Sequence, residues 1–221
     1  ADLPIDVRAP DRWYARLASA PHIRCTPLAE ARGLPIGEHL PTGPDGMRWH
    51  ALMNEVQMAL HEHPVNAARE ARGELPVNSV WFWGNGALPK TAQRPYNQVL
   101  SDDALGRGLA IAAGGIGIPL PSGANAWLDG APTEGRALVV LDGLRAGARY
   151  GDPEGWAAAA ETLERDWIAP LAQGLRSGRI GMLTCHLVGG GENLSVETIK
   201  GDLRKFWRGM KPLAGYAPME Q

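Results

Sequence analysis

The spacing of apolar residues predicts a long helix in the first third of the chain. From about residue 45 to 62, apolar side chains recur at intervals of three and four and form one stripe. Asp45 can cap this helix at its start. Pro64 ends it, because the residue before a proline disfavours the helical conformation.

Capping residues predict further helices along the chain. A short helix over about 65–72 closes at Gly73, and a long helix starts at Asp152-Pro153. Between them, one of Ser101, Asp102 and Asp103 can cap a helix that runs to about residue 113. Pro170 should kink the long helix.

Apolar runs bounded by turn residues predict buried strands at 79–83, 116–120, 136–142 and 179–187. The run at 136–142 is continuously apolar between Arg136 and Asp142, as in strands that are buried on both faces. Strands that alternate with helices predict an α/β fold with a mostly parallel sheet flanked by helices.

Composition narrows the function classes. The chain has 221 residues, 44% of them hydrophobic, and a formal net charge of −2, which gives no general attraction to nucleic acid or to an anionic membrane. Its two cysteines fit a reducing compartment, and no apolar run approaches the roughly 20 residues of a membrane span. We therefore expect a soluble, cytoplasmic protein.

Candidate chemistry concentrates between residues 61 and 86. Asn66, Arg69 and Asn78 are polar groups in apolar surroundings that either bind an anion or satisfy loop carbonyls, and the residues alone favour neither interpretation. Gly84 and Gly86 follow the predicted strand, where a structural turn is favoured over close approach to a ligand.

Two other features have simpler interpretations. His61 and His63 stand two residues apart, so on a helix they would point to different faces and form a poor chelate. The basic, aromatic tail at 200–211 is better explained as an amphipathic helix docked on the core than as a membrane or nucleic-acid element.

The stretches LHEHPVNAAREARG (60–73) and PVNSVWFWGNG (76–86) resemble archaeal-type cofactor-independent phosphoglycerate mutases, which belong to the alkaline phosphatase superfamily. Further stretches follow in the same order, at 100–114, 123–124, 138–142, 150–156 and 161–171. With RKFWR (204–208) included, the chain is still more similar to bacterial RpfE-type regulatory proteins. Both resemblances imply that it corresponds to the C-terminal part of a longer protein.

The resemblance implies an alkaline phosphatase-like sheet that is incomplete on its N-terminal side. Residues 1–98 would form the mutase-like substrate region and 99–221 the α/β core. Asn66, Arg69 and Asn78 would line a phosphate-substrate cleft whose floor is shaped by the turn containing Gly84 and Gly86. An exposed strand edge, or a homodimer that covers it, is then expected.

The metal motifs of the mutases are degenerate in this chain. The resemblance leaves Asp142, Cys185 and His186 as remnants of the metal ligands, and no histidine lies between His63 and His186 or after His186. A cysteine and a histidine can bind zinc, but two ligands do not complete a site.

The sequence therefore predicts a non-catalytic, mutase-like scaffold with a regulatory role and no resident cofactor. Its partner would be a protein or a phosphorylated small molecule. The alternative is a Mn- or Zn-dependent phosphoglycerate mutase or phosphatase that is completed by a further N-terminal region. A nucleic-acid-binding role rests on the basic tail alone.

Overall fold

The computed structural model describes residues 3–88, 93–132, 134–188 and 193–205. The chain divides into two compact units, residues 1–90 and 91–221. None of the helices in these described ranges is long and apolar enough to cross a membrane.

The first unit begins with an antiparallel hairpin and continues with helices. The hairpin pairs strands β1 and β2, and an isolated bridge joins Arg24 to Thr42 in the loop region that follows. The elements are β1 Ile5–Ala9, β2 Arg12–Ala15, α1 Leu28–Ala31, a 3₁₀ turn Ile36–His39, α2 Gly46–His61 and α3 Pro64–Glu70.

The long helix α2 confirms the periodic pattern, but Asp45 does not cap it with its side chain. The Asp45 carboxylate instead accepts a hydrogen bond from the backbone N–H of His22, at 2.8 Å. The Asp45 side chain thus ties the preceding loop to the start of α2, and a local sequence pattern does not show this contact.

The predicted strand at 79–83 is wrong. The structure has no strand there, and residues 79–82 are only half-buried. The Trp81 indole N–H donates to the carbonyl of Thr26 at 2.9 Å, and the Phe82 ring meets Trp49 of α2 edge-on at 4.8 Å. The aromatic residues pack individually against helix and loop, so their apolar character does not indicate a place in a sheet.

The second unit contains a three-stranded parallel sheet in the order β4-β3-β5, flanked by helices. This arrangement confirms the α/β fold class. The elements are β3 Gln98–Leu100, α4 Ala104–Ala112, β4 Ile116–Ile118, α5 Ala124–Leu128, β5 Ala137–Val139, α6 Leu144–Tyr150, α7 Pro153–Leu163, a π-helical turn Glu164–Ile168, α8 Ala169–Ser177, β6 Met182–Val188, β7 Asn193–Ile199 and a 3₁₀ turn Asp202–Arg204.

Two predicted caps are confirmed in this unit. The Asp103 carboxylate accepts from the backbone N–H of Leu105, and that of Asp152 accepts from Gly155, each at 2.9 Å. Each bond satisfies an N–H that has no partner within its own helix, so these aspartates fix where α4 and α7 begin.

Apolar burial in the second unit is centred between β3 and the last helices. Leu100, Ala124 and Leu175 are fully buried, and Trp167 and Leu171 are nearly so. Trp167 belongs to the π-helical turn that precedes Pro170. A π-helical turn thus lies next to the proline where the kink is predicted, and the buried tryptophan belongs to that wider turn.

The last predicted strand exists, but its environment differs from the prediction. Strand β6 pairs antiparallel with β7 in a separate two-stranded sheet, and its residues are half-buried or exposed. The predicted tail helix covers 200–211, of which 206–211 lie outside the described residues, and the described part contains only the 3₁₀ turn Asp202–Arg204.

Candidate functional site

Asn66 cross-links the end of α2 to the segment that follows α3. Its side-chain amide donates to the carbonyls of Leu60, at 2.7 Å, and Val77, at 2.9 Å, and its oxygen accepts from the backbone N–H of Val77, at 2.8 Å. The residue is 5% exposed. Asn66 thus holds the two halves of the mutase-like segment together.

Arg69 is committed to the same segment. Its Nε donates to the carbonyl of Leu75 at 2.8 Å, and its guanidinium lies 3.1 Å from the carboxylate of Glu74. Arg72 also pairs with Glu74, at 2.8 Å. The hydrogen bond from Arg72 and the charge of Arg69 lower the pKa of Glu74 below its ordinary value. The two arginines therefore share one glutamate of the turn after α3, and the three groups together keep one positive charge.

The side chain of Asn78 takes no part in this cross-link and lines an open groove of about 570 Å³. The other residues that line the groove are Gln57, Met58, His61 and Glu62. Gln57, Met58 and Glu62 were missed by sequence reasoning. Their spacing at 57, 58, 61 and 62 places them along one side of the last turns of α2, but any solvated helix face shows the same spacing.

His63 does not join His61 in the groove. It lies outside the helix, where its Nδ1 accepts from the backbone N–H of Val65, at 3.2 Å, and caps α3. The two histidines therefore lie in different settings: His61 lines the groove and His63 caps α3.

The turn at 84–86 requires glycine for its backbone conformation. Gly84 and Gly86 have φ of 71° and 153°, and a Cβ added at either would meet nothing within 4 Å. The amide of Asn85 donates to the carbonyl of Ile23 at 2.9 Å, which ties the turn to the loop before α2. A ligand-binding role for the two glycines stays a prediction.

The candidate metal ligands do not converge. Cys185 and His186 are neighbours within β6, so their side chains point to opposite faces of the ribbon. The Nδ1 of His186 lies 2.8 Å from the hydroxyl of Ser195 on β7, and Asp142 is exposed in the loop after β5. Across the ranges that the structure describes, no three His, Cys, Asp or Glu side chains are grouped to hold a metal ion. These residues do not fit a di-metal centre.

A second cavity, of about 280 Å³, adjoins the π-helical turn. Arg165 and Asp166 form a bidentate ion pair at its mouth, with both bonds at 2.8 Å. That pairing lowers the pKa of Asp166 and raises the pKa of Arg165. The ion pair is exposed and internally neutral, so the cavity shows no preference for a charged ligand.

Comparison with known proteins finds phosphoglycerate mutases that are similar to part of this chain. The 2,3-bisphosphoglycerate-independent phosphoglycerate mutase of Methanothrix thermoacetophila is 32% identical over 184 residues, which cover 73% of this chain and 46% of the relative. Part of this chain is homologous to cofactor-independent phosphoglycerate mutases. The mutase of Methanosarcina acetivorans is 36% identical over 126 residues, and a probable one from Geobacter sulfurreducens is 34% identical over 125.

The homologous stretch is partial. The chain spans about half the length of its Methanothrix relative and 31% of each of the other two. No family model and no solved structure matches the chain. The comparisons thus support the mutase resemblance seen in the sequence, and the similarity to RpfE-type regulatory proteins stays a prediction.

Proposed function

We propose that this chain is a phosphoglycerate mutase-like scaffold with a regulatory binding role and without catalysis of its own. The observation that carries the proposal is the commitment of Asn66 and Arg69 to backbone carbonyls. Asn66, which the mutase resemblance assigns to a phosphate cleft, is buried with both of its amide N–H groups bonded to backbone carbonyls. Arg69 bonds the carbonyl of Leu75 through Nε and pairs with Glu74. Both side chains therefore support the fold of their own segment.

The candidate metal ligands support the same proposal. Phosphoryl transfer in a two-metal site requires carboxylates and imidazoles that converge on both ions. In this chain Cys185 and His186 face opposite sides of a ribbon, and the His186 ring is bonded to Ser195. We therefore propose no resident metal, and a protein or a phosphorylated small molecule as the regulatory partner. We place this role in the cytoplasm, because two cysteines without a disulfide framework suit a reducing compartment.

The competing function is a Mn- or Zn-dependent phosphoglycerate mutase or phosphatase. It is favoured by the 32% identity over 73% of the chain to a named mutase. In that case a polypeptide region outside this chain would supply the nucleophile and most metal ligands, with Asp142 contributing one.

An activity assay on the longest product of the gene separates the two. Interconversion of 2- and 3-phosphoglycerate and hydrolysis of p-nitrophenyl phosphate are measured with Mn²⁺ and with Zn²⁺, beside an Asp142→Asn variant prepared identically. The scaffold proposal expects no turnover that differs between wild type and variant. Metal-dependent turnover that Asp142→Asn abolishes would establish the enzyme instead.

Thermal unfolding with the same metals provides an independent readout. A metal bound at about 100 times its dissociation constant adds roughly 2.7 kcal/mol, which shifts the Tm of a domain of this size by several degrees. The scaffold proposal expects equal Tm with and without millimolar Mn²⁺. A shift that disappears in Asp142→Asn contradicts it.

A further inference from the structure

The groove at the end of α2 has unused hydrogen-bonding capacity. In the described part of the chain, the side chains of Gln57, His61, Glu62 and Asn78 make no hydrogen bond or ion pair, whereas those of Asn66, Arg69 and Arg72 are all engaged. The polar side chains of this segment thus fall into two sets. One set builds the scaffold, and the other faces an open groove of about 570 Å³, a volume within the range of small-molecule sites.

The electrostatics of the groove favour positive charge. Its lining contains the carboxylate of Glu62 and no lysine or arginine. It adjoins the C-terminal end of α2, where the helix dipole is negative. Arg69 and Arg72, which pair with Glu74, are not among the residues that line the groove.

The lining also supplies acceptors and one apolar contact. The carboxamide oxygens of Gln57 and Asn78 can each accept an N–H. Met58 offers a flexible, polarisable surface to a short hydrocarbon chain.

We propose that this groove binds the head of an alkylammonium or alkylguanidinium cation. Glu62 pairs with the charge, Gln57 and Asn78 accept its remaining N–H groups, and Met58 covers the alkyl stem. This inference goes beyond the proposed function, and it separates Asn78 from the phosphate cleft that the mutase resemblance implies, because the same charges disfavour a phosphate monoester.

The test uses the chain labelled with ¹³C at its methionine methyl groups, of which there are six. Met58→Leu assigns the reporting signal. The probes are n-butylammonium, n-butylguanidinium, the neutral analogue butan-1-ol and the anion 3-phosphoglycerate. We expect the two cations to shift the Met58 signal with millimolar dissociation constants, and butan-1-ol and 3-phosphoglycerate to leave it in place.

Two carboxamide variants test the role of charge. Glu62→Gln, which keeps the shape of the side chain, should weaken butylammonium binding about threefold to fivefold, the scale of one exposed ion pair. Glu70→Gln, on α3 and outside the groove, is the matched control and should bind like wild type. Both side chains are exposed, and circular dichroism checks that each variant is folded.

The source of the cation is resolved by a further pair of probes. Tighter binding of Nα-acetyl-lysine methylamide than of butylammonium assigns the groove to a basic side chain of a polypeptide, and the reverse order assigns it to a free amine. The proposal is overturned if no cation shifts Met58 up to about 50 mM, if butan-1-ol or 3-phosphoglycerate binds equally well, or if Glu62→Gln has no effect. None of these outcomes bears on the turnover assay above.

Discussion

The two units of the chain are stabilised by different interactions. In the second unit, β3 and the helices α5 and α8 enclose side chains such as Leu100 and Leu175 that have no exposed surface. In the first unit, within residues 3–88, Met53 is the one buried large apolar side chain, and the buried polar Asn66 makes three bonds to backbone groups.

This difference matters for function because the mutase-like segment lies in the first unit. Hydrogen bonds are directional and depend on individual partners, whereas apolar burial is shared among many contacts. A single polar substitution should therefore disturb the first unit selectively, and the second unit should respond to changes of side-chain volume.

The largest expected effect comes from the apolar core of the second unit. Leu175→Ala should lower the free energy of unfolding by about 2–5 kcal/mol, because the removed methyl groups leave a cavity among fully buried neighbours. Leu105→Ala, the same change at a side chain that is 50% exposed, should cost less than about 1 kcal/mol. Urea denaturation of both variants gives the comparison, and equal losses would show that this core does not stabilise the unit.

The corresponding change in the first unit is Asn66→Ala. It leaves the carbonyls of Leu60 and Val77 without their side-chain partner, so we expect a loss of about 1–3 kcal/mol. Asn78→Ala removes the same side chain from an exposed site without hydrogen bonds and should change stability by less than about 0.5 kcal/mol. Hydrogen exchange should show faster opening of 60–78 in the first variant only. Similar exchange in both would contradict the cross-linking role of Asn66.

The third prediction concerns Gly123, whose backbone packs closely against the π-helical turn. A Cβ at Gly123 would lie 2.7 Å from the carbonyl oxygen of Asp166, so Gly123→Ala should cost about 1–3 kcal/mol. At Gly130 a Cβ would meet nothing within 4 Å, and Gly130→Ala should be close to neutral. Thermal unfolding distinguishes the two glycines. A neutral Gly123→Ala would mean that the loop moves freely away from the turn.

The smallest effect concerns pH. Because Arg72 and Arg69 lower the pKa of Glu74, the folded carboxyl holds its charge to lower pH than the unfolded one. Its contribution to stability is present above the ordinary glutamate pKa and is lost as pH falls through the lowered value. Amide exchange itself slows on acidification, so the readout is the protection factor, which is corrected for that intrinsic change. Protection at 66–77 should therefore fall slightly as pH falls, and Glu74→Gln should remove that decrease. An unchanged pH profile in the variant would exclude Glu74 as its source.

Local signals in the sequence were reliable predictors of helices. The caps at Asp103 and Asp152 are observed as predicted, and the apolar stripe and Pro64 bracket α2 to within a residue or two. Each of these signals acts within one or two helical turns, so no knowledge of distant residues is needed. The alternation of such elements was enough to predict the α/β class.

The partners of the polar site residues were not predictable in the same way. Asn66 and Asn78 stand in two identical Pro-Val-Asn triplets, yet one is buried in three backbone bonds and the other is exposed in a groove. The groove residues Gln57 and Glu62 were missed because their pattern on α2 does not differ from that of an ordinary solvated helix face.

The sequence by itself determined where α2, α3, α4 and α7 begin, the α/β class and the mutase family resemblance, because periodicity, capping and motif order are written in neighbouring residues. The short helices α1, α5 and α6 were not predicted. Tertiary structure decided that residues 79–83 are not a strand, that β6 pairs antiparallel with β7, and that Arg69 binds a loop carbonyl and Glu74. These outcomes depend on which distant backbone groups lie within hydrogen-bonding distance, and only the folded chain brings those groups together.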